Sequence, residues 1–474
     1  MWCKNEKRIL FFYIACFLAA ASTMALFQPL WNGAPTFLNP PDEHGRILIP
    51  WYICQHGILP TGLEEETRVS GYGISYGLYT ILPYVIQGYV MRFVSIFTNS
   101  VTALLYAARF VNVLSGTIMA YVVYLMSGKL FQDQWIKWLF CFGVMYLPQG
   151  MFLHTYVNTE SMCLLSTAII IYALVSAYQE GFTRKNCVIL SVGIILCALS
   201  YYNAYGFILS SIFLFLAYFC KITTVKTGHT PKKWMIQCDW KQMLIKGAFI
   251  GTIVLLGIGW LFIRNYILYD GDFLGLATQE KLSIQYADPS VNPLTRPTPR
   301  NRGESILAMI FNFKFLRDTY VSFVANFGSF NIVGNILMYG VFFLIFCVGV
   351  AAVLFLRHPK EDFISGQPMW KRTFFHASLL FCILMPVILW LYYCYAMDYQ
   401  PQGRYLLPAV IPLMYYVARG YQKLTSLSKM SGWLRKGIIG VVVLCFFAST
   451  LYMTYCVSLP RYLKADLAVE GVLK

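Results

Sequence analysis

Three observations on this 474-residue chain predict an all-α polytopic membrane protein. Hydrophobic residues make up 58% and charged residues only 12%. A soluble protein carries about 25% charged residues, so a 54.2 kDa surface could not be covered with solvated groups here. Second, apolar runs of about 20 residues, enough to cross a bilayer, recur along the chain. Third, Lys and Arg gather in alternate connecting segments, as the positive-inside rule expects. Together these exclude a soluble globular enzyme, a disordered protein and a collagen-like fibre. They predict a single integral membrane unit over residues 1–474.

About eleven spans (10–12) are predicted, at 9–27, 104–126, 136–153, 161–178, 187–201, 206–220, 243–263, 333–356, 374–395, 404–418 and 437–457. The first follows a basic N-terminus and lacks a small-residue cleavage site, so it reads as an uncleaved span rather than a signal peptide. The stretch 79–97 holds Pro83, Gln87 and Arg92 and reads as an interfacial or re-entrant helix. Tyr201-Tyr202-Asn203 marks the turn between two short spans. The 14 Cys are scattered without a C-x-x-C, which argues against a disulfide framework or a zinc site.

Charge sets the orientation. With the N-terminus inside, the cytosolic segments take Lys4, Lys7, Arg8, Lys129, Lys137, Arg184, Lys185, six Lys between 221 and 246, and the basic residues of 357–372 and 419–436. The net charge of +16 then lies on the cytosolic side. It is spread over many inner segments, which argues against a nucleic-acid partner. Two long segments, 28–103 and 264–332, fall outside and predict a working face there. The expected location is the cell membrane, multi-pass, with a cytoplasmic N-terminus.

The first outer segment holds Asn39-Pro40-Pro41-Asp42-Glu43-His44-Gly45-Arg46. Asn39 and the prolines suit a helix start, where the macrodipole favours carboxylates. Paired acids just above a bilayer can also act as a general base or bind a divalent cation. Both readings stay open on local pattern alone. Tyr156-Val157-Asn158-Thr159-Glu160 offers a second acid in a short turn, with Asn158 as its N-cap. Arg264-Asn265 and Arg404 lie at outer span ends, and Arg109 about a turn inside a span. Arginine suits bidentate phosphate binding, whereas snorkelling to lipid headgroups is the plainer alternative.

The order of these pieces resembles the GT-C superfamily of membrane glycosyltransferases. It is closest to the bacterial domain-of-unknown-function 2142 membrane protein family. The resemblance rests on Pro41-Asp42-Glu43, Asn158-Thr159-Glu160, Trp260 to Asp272, Ser322-Phe323 to Gly328, and Gln402 to Pro408. It departs at His44-Gly45-Arg46 and at the inserted Asp270. The resemblance implies GT-C-like outer segments and interfacial helices. It also implies transfer, inverting in stereochemistry, of a sugar from a polyprenyl-phosphate-linked donor to a glycan, lipid or protein acceptor on the non-cytoplasmic face, for the cell envelope. Asp42, Glu43 and Glu160 become the catalytic set, and the ligand set if a divalent metal such as Mg or Mn is used. Arg264, Arg404 and Arg109 become donor-phosphate ligands, with His44, Asn158 and Asn265 nearby. The rival expectation is a transporter or flippase of lipid-linked saccharides. Ion-coupled transporters commonly carry carboxylates at mid-membrane, and the eleven spans contain no Asp or Glu.

Overall fold

The computed structural model describes residues 4–29, 38–225, 233–356, 363–426 and 430–464. Helices dominate, as expected. In chain order they are α1 (Lys4–Phe27), α2 (Glu43–Arg46), α3 (Leu48–His56), α4 (Leu82–Val94), α5 (Val101–Leu130) and α6 (Gln134–Met145). Next come α7 (Pro148–Leu153), α8 (Glu160–Glu180), α9 (Arg184–Ala198), α10 (Tyr205–Phe219), α11 (Trp240–Leu268) and α12 (Leu276–Tyr286). The last are α13 (Ile306–Ile310), α14 (Phe313–Val324), α15 (Ile336–Phe355), α16 (Met369–Tyr392), α17 (Val410–Leu424) and α18 (Gly432–Leu451). Sheet is confined, among the described residues, to two hairpins. β1 (Cys220–Val225) pairs antiparallel with β2 (Lys233–Cys238), and β3 (Asn326–Phe327) with β4 (Ile332–Val333).

Eight described helical segments are long and apolar enough to cross a membrane: Glu6–Phe27, Val101–Leu130, Glu160–Glu180, Tyr202–Phe219, Trp240–Leu268, Ile336–Phe355, Met369–Met397 and Gly432–Lys464. The other three expected spans form shorter helices with local causes. The 136–153 segment divides into α6 and α7, because Pro148 disfavours helical backbone at the residue before it. The 187–201 segment is the 15-residue α9. The 404–418 segment opens as a 3-10 turn over Gly403–Ala409 and becomes α17 only after Pro408. α4 has 13 residues, about 20 Å at 1.5 Å per residue, short of a bilayer core of about 30 Å.

Apolar burial does not drive helix association in lipid, so close packing and polar contacts must hold the bundle together. α5 packs on α1 and α8, α8 on α9, α10 on α16, and α15 on α17. The last pair is the tightest. A Cβ on Gly420 would sit 1.8 Å from Gly349 O, so only glycine lets these backbones meet. Polar cross-links are buried: Gln87 Nε2 donates to Asn112 Oδ1 at 3.1 Å, and Asn112 Nδ2 to Tyr156 O at 2.5 Å.

The bundle has two chemically distinct ends. α8 runs from Glu160 at one to Glu180 at the other. At the Glu180 end, Lys129 Nζ meets Glu180 at 2.5 Å, Asp133 pairs with Arg435, Tyr124 donates to Glu6 at 2.9 Å, and Lys371 Nζ donates to Tyr218 O at 2.6 Å. Segments expected on one side by charge thus gather at one end. Cys220 and Cys238, opposite each other in the β1–β2 register, form a disulfide. This bridge, the one disulfide among the described residues, was not legible in the scattered cysteine spacing.

Candidate functional site

The Glu160 end collects the acid-rich turns. Pro40 and Pro41 restrict the approach to Asp42, which takes φ 61° and ψ 1°. This left-handed backbone is uncommon outside glycine but is best tolerated by Asp and Asn. The Asp42 side chain makes no capping bond. Its Oδ2 instead accepts from Arg404 Nη2 at 2.7 Å and lies 3.7 Å from Arg46 Nη2. Asp42 keeps 40% of its side chain accessible, whereas that of Arg404 is 1% exposed. Burial pushes the Asp42 carboxyl up, but Arg404, Arg46 and the neighbouring His44 together hold it below the usual carboxylate range. Its folded value is depressed, so the stability from the pairing is fully present above the ordinary carboxylate value of about 4 and is lost as pH falls below it, through the lower folded value.

The other two acids are closed off. Glu43 is buried, and its Oε1 accepts from Arg109 Nε at 2.9 Å and Val157 N at 2.8 Å, while Oε2 accepts from Arg109 Nη2 at 2.5 Å. Arg109 also donates to Ala25 O at 2.9 Å, Gln28 O at 3.0 Å and Pro29 O at 3.3 Å. A guanidinium has five N–H groups, and all of those on Arg109 are taken. Glu160 is held bidentately by Arg46: Nη2 donates to Oε1 at 2.9 Å and Nη1 to Oε2. Its turn is braced by Asn158, whose Oδ1 accepts from Ser161 N at 2.9 Å while Nδ2 donates to Leu153 O and Tyr156 O. Asn158 therefore caps the turn.

A set of Asp42, Glu43 and Glu160 does not fit a resident cation. Each carboxylate already faces a guanidinium, and Glu43 and Glu160 have bonds on both oxygens. Among the described residues, no group of three or more His, Cys, Asp or Glu is placed to hold a metal ion.

Arg404 is oriented from several sides. Its Nε donates to Gln402 Oε1 at 2.8 Å, and its Nη2 also reaches Tyr405 OH at 3.3 Å. Phe330 and Tyr405 present their rings to its guanidinium at 5.5 and 5.1 Å. Gly403 N donates to Ser322 Oγ at 2.7 Å, joining the Ser322-Phe323 and Gln402-to-Pro408 pieces. A side chain at 403 would clash with Thr319 O, 2.2 Å from an added Cβ. A chain of bonds continues outward: Tyr405 OH donates to Gln400 Oε1 at 2.7 Å, and Gln400 Nε2 to Asp398 Oδ2 at 2.7 Å. Burial raises the Asp398 carboxyl, and Arg296 at 3.6 Å opposes this.

Arg264 and Asn265 lie in a different set of contacts. Arg264 Nη2 donates to Pro60 O at 2.6 Å, and Asn265 Nδ2 to Phe273 O at 3.1 Å. Arg264 clasps the two long segments to each other, with Tyr269 OH donating to Thr61 O at 2.5 Å, whereas Asn265 braces a turn within its own segment. His44 is exposed beside Asp42. The sequence reading missed Arg46, Tyr156, Gln400, Tyr405 and Asp398. Arg46 had a signal, since it stands four residues after Asp42 and shares its face of a helical turn. Asp398 had none, because only the fold carries it toward Asp42.

The fold resembles that of archaeal oligosaccharyltransferases. One similar structure is the Archaeoglobus fulgidus oligosaccharyltransferase tethered to an acceptor peptide with the NVT sequon (TM-score 0.52, 15% identity, 95% of this chain and 55% of that chain). Another is the oligosaccharyltransferase AglB from the same organism with an inhibitory peptide and a dolichol-phosphate (TM-score 0.50, 15% identity, 95% and 56%). A third is the A. fulgidus enzyme in complex with Zn and sulfate (TM-score 0.51, 15% identity, 95% and 53%). The chain thus spans about half the length of these proteins, and the likeness is one of fold. No curated protein matches the sequence. The DUF2142 pattern, described as a predicted membrane protein, matches residues 60–414. That range takes in Arg109, Glu160, Arg264 and Arg404 and starts after the 42–46 turn. With this match over most of its length, the chain belongs to the DUF2142 family of membrane proteins.

Proposed function

We propose that this protein is a membrane glycosyltransferase of GT-C type. It moves a sugar from a polyprenyl-phosphate-linked donor to an acceptor hydroxyl, with inversion, at the Asp42 end of the bundle. The observation that carries the reading is the contrast among the three acids. Glu43 and Glu160 are locked in buried pairs, whereas Asp42 is accessible and shares one oxygen with Arg404. A carboxylate beside guanidinium groups supplies both halves of the chemistry: a proton acceptor for the nucleophile and charge for a leaving phosphate.

The step balances on these residues. The acceptor oxygen bonds to the anomeric carbon, and its proton passes to Asp42. The bond from the anomeric carbon to the phosphate oxygen breaks, and that oxygen leaves with the electron pair. A base held below the ordinary carboxylate range is weak. Arg404 relieves this as its positive charge is shared with the departing phosphate, because the carboxylate is then less strongly held by its nearest cation and gains basicity. Support also comes from the shared fold and from the neighbour solved with dolichol-phosphate.

Arg404→Lys tests the phosphate half. An ammonium cannot reproduce the guanidinium fork, and a hydrogen bond to a charged group contributes about 1.5–3 kcal/mol. The apparent KM for lipid-linked donor in a vesicle transfer assay is expected to rise roughly 10- to 100-fold. An unchanged KM would make Arg404 a structural or headgroup residue.

The proposed orientation puts the basic end in the cytoplasm and Asp42 outside. In a cysteine-free background, an impermeant maleimide should label His44→Cys in intact cells and Lys241→Cys only after permeabilisation. The same orientation puts Cys220 and Cys238 in a compartment that keeps thiols reduced. The Cys220–Cys238 bridge is therefore expected to be open in intact cells and to close on exposure to oxidant, which thiol labelling before and after oxidation would read. Labelling of Lys241→Cys from outside would reverse the map.

A further inference from the structure

Native interiors leave very few buried polar groups without a partner, and each exception calls for an explanation. Three such exceptions meet at Asp42. Arg46 Nε, Arg404 Nη1 and Tyr156 OH are buried and make no hydrogen bond. Their residues are 5%, 1% and 0% exposed. They come from separate places in the chain: the α2 turn, the Gly403–Ala409 turn, and the turn between α7 and α8.

Their proximity is fixed by shared partners. The two guanidinium groups flank the same oxygen, Asp42 Oδ2, at 2.7 and 3.7 Å. Tyr156 lies within electrostatic reach of Arg404, Glu160, Arg46 and Asp42. Its backbone is pinned, since Tyr156 O accepts from Asn112 Nδ2 at 2.5 Å and Asn158 Nδ2 at 2.9 Å. Its ring packs on Phe152 with centroids 5.1 Å apart. One N–H on each Nη of Arg46 is committed to Glu160, and this bidentate pair prevents the guanidinium from rotating to satisfy Nε.

All three atoms are donors or can donate, and two are cationic. The complement is an anion with several acceptor oxygens. We propose that Arg46 Nε, Arg404 Nη1 and Tyr156 OH form one cradle that binds the phosphate of the lipid-linked donor and of the lipid phosphate released from it. This rests on the transferase reading above and assigns Arg46 and Tyr156 to the site. Arg109 and Arg264, whose bonds lie elsewhere, are not part of it.

Tyr156→Phe is the clean test, because it removes one donor without changing ring volume. The full-length protein in nanodiscs is titrated with a polyprenyl phosphate, and with the matching polyprenol as the phosphate-free control. Wild type is expected to bind the phosphate well above the polyprenol. Tyr156→Phe should bind the phosphate roughly 3- to 10-fold more weakly, the worth of one hydrogen bond. Its midpoint of thermal unfolding should be unchanged or higher, since an unpaired buried hydroxyl has been removed. Arg46→Lys should weaken phosphate binding further, though it also loosens Glu160. If Tyr156→Phe binds the phosphate as wild type does while Arg404→Lys does not, the cradle is wrong and the transferase reading stands. If wild type itself does not distinguish the phosphate from the polyprenol, the lipid-phosphate donor reading fails with it.

Discussion

Asp42→Asn is expected to leave the protein folded and to reduce sugar transfer by about 10²-fold or more, the usual contribution of a general base. The substitution isolates proton acceptance from every other role of the residue. Position 42 sits at φ 61°, where Asn is tolerated as well as Asp. Alanine there would add a left-handed backbone penalty of about 1–2 kcal/mol and confuse the result. The Asn Oδ1 can still accept from Arg404 Nη2, so the arginine keeps its neutral anchor. What disappears is the negative charge and the capacity to take a proton. Two measurements decide the matter: the thermal unfolding midpoint, expected near wild type, and the single-turnover transfer rate from lipid-linked donor. A variant that unfolds normally and transfers sugar at close to the wild-type rate would remove Asp42 from the catalytic role. Loss of apparent donor affinity with an unchanged maximal rate would make it a partner of Arg404 only.

Glu43→Gln should act on a different quantity. The Glu43–Arg109 pair is buried, and its side chains are 7% and 0% exposed. Removing one partner leaves a buried charge uncompensated, which costs about 3–5 kcal/mol. Glu43→Gln is therefore expected to lower the unfolding midpoint and the yield of monodisperse protein. Arg109→Leu should be worse, since it also orphans the carbonyls of Ala25, Gln28 and Pro29. The pair fastens the end of α1 to the α2 turn, so its failure would displace Asp42 indirectly. A double-mutant cycle across Glu43→Gln and Arg109→Gln should give strong coupling in stability. If Arg109→Lys instead unfolds like wild type and loses only donor affinity, Arg109 belongs with the phosphate ligands.

The two predictions separate residues that look alike in the sequence. Asp42 and Glu43 are adjacent acids in one motif, and both read as catalytic. Consecutive residues at a turn point in different directions, and here one carboxylate opens outward while the other meets Arg109. Similarly, Arg264 and Arg404 read as arginines at span ends and Arg109 as one about a turn inside a span, all three as phosphate ligands. Arg109 has every donor engaged, and Arg264 holds the 60–61 turn through Pro60. Of the three, only Arg404 reaches Asp42.

The sequence by itself determined the class of protein, most of its spans and the grouping of its basic segments, because these follow from local hydropathy and charge. It also located the turns that carry Asp42, Glu160 and Arg404, since prolines, glycines and capping residues act within a few positions. Three predicted spans became short helices for equally local reasons, which chain-averaged hydropathy does not resolve. The pairing of charges was decided only by the tertiary structure. Arg46 with Glu160 is a contact across 114 positions, and Arg404 with Asp42 one across 362. Which guanidinium meets which carboxylate depends on helix packing and on bonds such as Gly403 N to Ser322 Oγ. No periodicity or spacing encodes that choice, and it is the choice that leaves Asp42 accessible while Glu43 and Glu160 are sealed.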